Sequence, residues 1–260
     1  MKKTIALLLA LAMLPALAAC GRQPAAPSVD LKILKEADDS MINTYSLLAV
    51  DPDAPFVDAD GNAVADVALN PVGAAALINW LLSEEGEAAA ANYGFAEYGE
   101  YLFYLLDSRP VSTAEIPEAT EETRLIRLST TTSVNDSGLF GYLLPVFEGK
   151  YGYEVEVYSA GTGKAIANAK MGNADLILVH AKAQEEAFVE AGFAAVLEGM
   201  ETERLTYMYN YFVLCGPSAD PAGVADAPTV PDAFRAIAAA KMGNADLILV
   251  HAKAQEEAFV

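Results

Sequence analysis

The sequence predicts an α/β fold built on a parallel sheet, on two observations. Three strand-then-helix units follow one another, and each strand ends in hydroxyl or small residues. The first unit is the strand Arg124–Leu128, followed by Ser129 to Gly138, a run with six hydroxyl side chains. The second is the strand Tyr153–Tyr158, which passes through Ser159, Ala160, Gly161, Thr162 and Gly163 into a helix over Lys164–Met171. The third is the strand Asp175–Val179, which leaves the turn Gly172–Ala174 and ends at His180 and Ala181. Parallel strands of this kind place their carboxyl ends on one edge, where a ligand seat forms.

From the amino terminus, residues 1–19 carry Lys2 and Lys3, an apolar run from Ile5 and the small-residue exit Leu17-Ala18-Ala19 before Cys20. This reads as a secretory signal, too short for a membrane-spanning helix. The ending resembles a lipoprotein cleavage box and implies lipidation of Cys20, with residues 20–30 as a tether containing Pro24 and Pro27. Residues 31–107 give a strand over Thr44–Val50, an acidic turn, a helix over Pro71–Leu82 and a second over Glu84–Tyr93. Residues 108–123, rich in Pro, Thr and Glu, read as a linker. Residues 124–235 hold the three units and a strand over Tyr207–Cys215. Cys215 is the second of two cysteines and reads as a buried thiol.

Residues 236–260 repeat 165–189 with one difference, Ala239 for Asn168. Solenoid repeats drift and come in several copies, so an isolated near-perfect pair reads as a recombination or assembly junction.

The formal net charge is −20, and without Lys2 and Lys3 it is −22, 14 basic residues facing 36 acidic ones. Nucleic acid is thereby excluded as an expected partner. A neutral seat of hydroxyls and backbone N–H groups still accommodates a dianion, because carboxylates can stay outside it.

The segments LSTTTSVNDSGLFGYLLPVFE, VYSAGTGKAIANAKMGNADLILVHA and MYNYFVLCGP resemble the substrate-binding lipoprotein of tungstate ABC importers, a type II periplasmic-binding-protein fold. The resemblance implies two lobes closing on an oxyanion and delivery to a membrane permease. It implies no enzyme activity and no cofactor, and it places the protein outside the cytoplasm on a lipid anchor. Residues 31–107 resemble the closing portion of the same family, so its end precedes its beginning. The family's arginine-bearing second-lobe segment is missing from the sequence, and the second lobe is expected to be incomplete. Molybdate, sulfate and phosphate are alternative ligands. A rearranged fragment without a ligand is an alternative of another class.

A seat for a tetrahedral dianion needs neutral donors converging from several loops, ideally at helix amino termini. The candidates are Thr131, Thr132, Ser133, Ser159 and Thr162, with Gly161 and Gly163 admitting close backbone approach. Ser/Thr runs also simply cap helices. Asn210, in the alternating strand around Tyr207, Tyr209 and Tyr211, is either a crossover residue near the cleft, as the resemblance implies, or a structural amide. Asp136 either enters the cleft and favours a protonated ligand such as phosphate, or caps the following helix; capping is the expectation. Gly161–Lys164 is no P-loop, because Tyr158 stands at the first glycine position. No Gly-x-Ser-x-Gly elbow occurs, His180 and its copy His251 are the only histidines, and no transition-metal spacing is present. His180 is expected as a strand-end residue. Asp58–Asn62 departs from a calcium loop at its glycine and its closing position, and reads as a solvated acidic turn.

Overall fold

The computed structural model describes residues 30–240 and the strand 248–250. The signal, Cys20, most of the tether and most of the repeated segment, His251 included, lie outside the described residues.

The elements in chain order are β1 (Leu31–Lys35), a single 3-10 turn (Asp39–Met41), β2 (Ile42–Val50), α1 (Pro71–Leu81), α2 (Glu84–Asn92), α3 (Phe95–Tyr98), β3 (Tyr104–Leu105), β4 (Leu125–Thr131), α4 (Thr132–Asp136), α5 (Leu139–Tyr151), β5 (Glu154–Ala160), α6 (Thr162–Lys170), β6 (Leu176–Val179), α7 (Lys182–Glu190), β7 (Ala194–Ala195), β8 (Leu205–Tyr211), β9 (Val213–Pro217), α8 (Val230–Ala239) and β10 (Ile248–Val250). The fold is mixed α/β. A seven-stranded sheet runs β3-β8-β2-β6-β4-β5, with β7 on β2, and a three-stranded sheet runs β1-β9-β10.

The three strand–helix units form the parallel part, β4 lying between β5 and β6. Strands β2, β3, β7 and β8 join antiparallel, so the larger sheet is mixed. The period of two in β6 sends Leu176 and Leu178 to one face and Ile177 and Val179 to the other. Leu176 and Leu178 enter a core with Tyr45, Trp80, Leu143 and Phe147, beneath α1 and α5. Ile177 and Val179 enter a second core with Leu48, Ala165, Ile166 and Phe188, beneath α6 and α7. Four consecutive apolar residues are the expected pattern for a strand covered on both faces.

Asn70 sets the start of α1, with its side-chain oxygen accepting from Gly73 N at 2.8 Å and Pro71 filling the first helical position. Its amide donates to the carbonyls of Thr123 and Leu125, tying the helix to the entry of β4. Asp175, 1 % exposed, accepts from Asn70 N, Arg127 N and the Arg127 guanidinium, the last at 2.7 Å. One buried carboxylate thus fixes β4 against the start of β6.

Residues 108–123, expected as a linker, run as an irregular segment bound to the helical layer. Ser112 N donates to Leu82 O, Ala119 N to Tyr151 O, and Arg109 pairs with Glu87 at 2.6 Å.

The smaller sheet has its own modest core of Leu34, Met41, Leu214, Val224, Val230 and Ala233. The single strand expected over Tyr207–Cys215 is two strands in two sheets, broken at Phe212. Phe212 N donates to Met41 O at 2.9 Å instead of joining either ladder. Cys215 is buried in β9, as expected.

Candidate functional site

At the carboxyl edge of the parallel strands, β4 passes directly into α4 and β5 into α6. The register pairs Thr130 with Ser159 and Thr131 with Ala160, so the two helix starts lie side by side. Thr131 is the amino-terminal cap of α4 and Gly161 that of α6, and neither makes a side-chain capping bond. First-turn N–H groups at such ends have no partner within their own helix.

The hydroxyl run divides by task. Ser129 donates to Ala165 O, Thr130 to Leu178 O and Ser137 to Val134 O, all in the protein's interior. The other three, Thr131, Thr132 and Ser133, stand at the edge. The Thr131 hydroxyl turns to Ser133 Oγ at 3.1 Å rather than to its own helix. Thr132 is exposed, and Thr162 is half-buried at the neighbouring helix start. Ser159 Oγ is buried and has no hydrogen-bond partner among the described residues. Gly161 has φ −61°, which any residue adopts, and a Cβ there would meet nothing within 4 Å. The fold itself therefore makes no demand for glycine at this point.

A second layer supports Ser133. Its Oγ lies 3.0 Å from His180 Nε2, at the end of β6, and the His180 ring meets Tyr45 edge-on at 5.3 Å. Tyr45 donates to Asn210 Oδ1 at 3.1 Å and accepts from Asn43 Nδ2 at 2.9 Å, while Asn43 also reaches Asn210 Oδ1. Burial pushes the Tyr45 pKa above the ordinary tyrosine value, against opposing hydrogen bonds to Asn210, Asn43 and Ser133, so its hydroxyl stays neutral. Asn43 and Asn210 pair across β2 and β8, which explains how residues so distant in sequence meet.

Thr131, Thr132 and Ser133 thus share one edge with Ser159, Gly161 and Thr162, and Asn210 connects to it through Tyr45. His180, expected only as a strand-end residue, is joined to Ser133. The signal for it was its position directly after β6, in line with the two hydroxyl-bearing strand ends. Asp136 departs from expectation. It closes α4 as an exposed residue beside Asn135, and the cap position of α5 falls to Gly138. Gly138 has φ +82°, and a Cβ there would lie 2.6 Å from the Tyr93 hydroxyl, so a carboxylate-bearing residue has no place at that corner. Asp58 accepts from Asp60 N, Asn62 N and the Asn62 amide, so it organises its own turn. No cluster of three His, Cys, Asp or Glu suited to a metal occurs among the described residues.

The sequence pattern of the PBP superfamily domain matches residues 117–240, from the end of the irregular segment through α8. The chain is 49 % identical over 104 residues to the tungstate-binding protein TupA of Peptoclostridium acidaminophilum, covering 40 % of this chain and 34 % of that protein. It is 32 % identical over 82 residues to the TupA of Campylobacter jejuni, covering 32 % of this chain and 28 % of the relative. Among solved structures, the tungstate ABC transporter from Geobacter sulfurreducens is 40 % identical, with 44 % of this chain and 47 % of that chain covered and a TM-score of 0.39. The chain spans about a third of the length of the curated relatives it matches.

Proposed function

We propose that this chain is an extracytoplasmic solute-binding protein that captures tungstate, a tetrahedral oxyanion, for an ABC importer. The observation that carries the reading is the pair of adjacent helix starts, Thr131–Ser133 and Gly161–Thr162, both left without side-chain caps. Such ends present N–H groups and favourable potential to an anion. Thr131, Thr132, Ser133, Ser159 and Thr162 supply hydroxyl donors, Gly161 gives the backbone room to approach, and Asn210 takes part from the crossover strand by way of Tyr45. The tungstate-binding relatives support this ligand, and the candidate seat residues carry hydroxyls and an amide rather than carboxylates, which suits an anion that has no proton at neutral pH.

The fuller reading adds lipidation at Cys20, an extracytoplasmic membrane anchor and docking to the importer's permease. Binding and delivery involve no bond making or breaking, so the protein acts as a receptor and not as an enzyme. Lobe closure would commit the anion.

Calorimetric titration of the folded chain with tungstate, molybdate, sulfate and phosphate tests the proposal. One-to-one tungstate binding, weakened about tenfold or more by Thr131→Val or Thr162→Val through loss of charge-assisted donors, is the expected result. Tight binding untouched by either substitution overturns the seat. No heat with any oxyanion favours a rearranged fragment without a ligand.

A further inference from the structure

Where the two sheets meet lies a cavity of about 130 Å³. Ile33 and Val213 of the smaller sheet form one side, and β3 and β8 of the larger sheet form the other. Its chemistry is the reverse of the anion seat. Tyr101, Tyr104 and Tyr211 line it with Glu36 and Glu100, and no basic residue does so.

The rings are held in place. Tyr104 stacks on Tyr209 with centroids 5.4 Å apart, Tyr209 meets Tyr211 edge-on at 5.7 Å, and Tyr101 stacks on Phe95 at 4.9 Å. The wall between Glu36 and the 3-10 turn contains Ala37 at φ +50°, a left-handed backbone that costs a non-glycine residue about 1–3 kcal/mol. Asn210, 3 % exposed, also lines the cavity, with its side-chain oxygen held by Asn43 and Tyr45.

We infer that this cavity binds a small methylated ammonium ion. Aromatic faces attract a cation without demanding hydrogen bonds from it, which is how quaternary ammonium groups are recognised. Glu36 and Glu100 add long-range attraction, as does the chain's charge of −20. Because both sheets contribute wall residues, the occupant bridges them. Asn210 is the one residue shared with the proposed anion seat, and the cavity's ligand does not depend on that seat's identity.

The test is titration of the full chain with choline, and with the neutral isostere in which carbon replaces the quaternary nitrogen. Saturable choline binding, about fivefold or more tighter than the isostere, is expected from cation–π attraction in a partly desolvated site. Tyr211→Ala and Tyr101→Ala each lower choline affinity by about fivefold, while Tyr211→Phe, which keeps the ring, preserves it. Glu36→Gln, an exposed and conservative change, weakens choline in low salt more than in high salt. Tyr101→Ala leaves the tungstate titration unchanged, which separates this site from the anion seat. Equal affinity for choline and its neutral isostere overturns the proposal, as does no saturable choline binding by a chain that circular dichroism shows to be folded.

Discussion

The two sheets differ in how they are held. The larger sheet is covered on both faces, with Leu176 and Leu178 in one core and Ile177 and Val179 in the other. Among the described residues the smaller has two small clusters, one in which Leu214 packs with Met41, Val224 and Val230 and one of Val213 and Cys215 with Ile33. The hydroxyl donors of the proposed anion seat stand at the carboxyl edge of the well-packed sheet, Thr131 and Ser159 at strand ends and Thr132, Ser133 and Thr162 in the helices that follow them. The smaller sheet contributes no seat residue, but it forms half of the aromatic cavity. Precise placement of weak neutral donors therefore coincides with dense packing. The cavity at the junction relies on rings and charge, which tolerate looser geometry.

Disrupting the larger sheet at Asp175 gives the largest expected effect. Asp175→Asn breaks a buried pair with Arg127 that also holds Asn70 N, and should cost about 3–5 kcal/mol in chemical denaturation. A loss under about 1 kcal/mol would mean that the packing of β4 on β6 does not need this carboxylate.

A smaller effect is expected at the seat's support. Tyr45→Phe removes the hydroxyl that joins Asn43, Asn210 and Ser133 while keeping the ring against His180. Stability should fall by about 1–3 kcal/mol, since buried amides lose a partner, and tungstate affinity should fall with it. An unchanged affinity would detach the second layer from the seat.

The smallest change carries the opposite sign. The hydroxyl of Tyr207 is buried without a partner among the described residues. Tyr207→Phe should leave stability unchanged or raise it by up to about 1 kcal/mol. Burial raises the Tyr207 pKa above its unfolded value of 10.0. Its contribution is fully present below that value and is lost as pH rises towards the folded one, because the unfolded chain ionises first. Alkaline denaturation curves should flatten above about pH 10 in the Phe variant, and an unaltered slope would show that Tyr207 does not titrate on unfolding.

Much of the larger sheet was legible because its signals are local. Pro71 after Asn70 and Glu84 after Ser83 mark helix starts, and the repeated strand–turn–helix order marks the parallel units. The strand expected to end at Leu128 continues to Thr131, because β-branched threonines suit a strand and pair with Ser159 and Ala160. What stayed hidden was long-range. The place of His180 after β6 marks the edge that it shares with the hydroxyls, but its contact with Ser133 spans 47 positions, and Asn43 and Asn210 meet only because β2 and β8 pair across 167. The break at Phe212 was invisible for the same reason, since its cause is the carbonyl of Met41. The capping role expected of Asp136 failed because α4 starts four residues earlier and uses that residue as its end.

The bond from Phe212 N to Met41 O lies where the chain passes between sheets twice, once from the 3-10 turn into β2 and once from β8 into β9. Two passages fastened at one point make an axle. Any change in the angle between the two sheets would fall on the torsions of the residues at these passages, 41, 42 and 212 among them. The aromatic cavity, walled by Ile33 and Val213 on one side and Tyr104 and Tyr211 on the other, lies directly beside that axle, where a small rotation changes its width most directly.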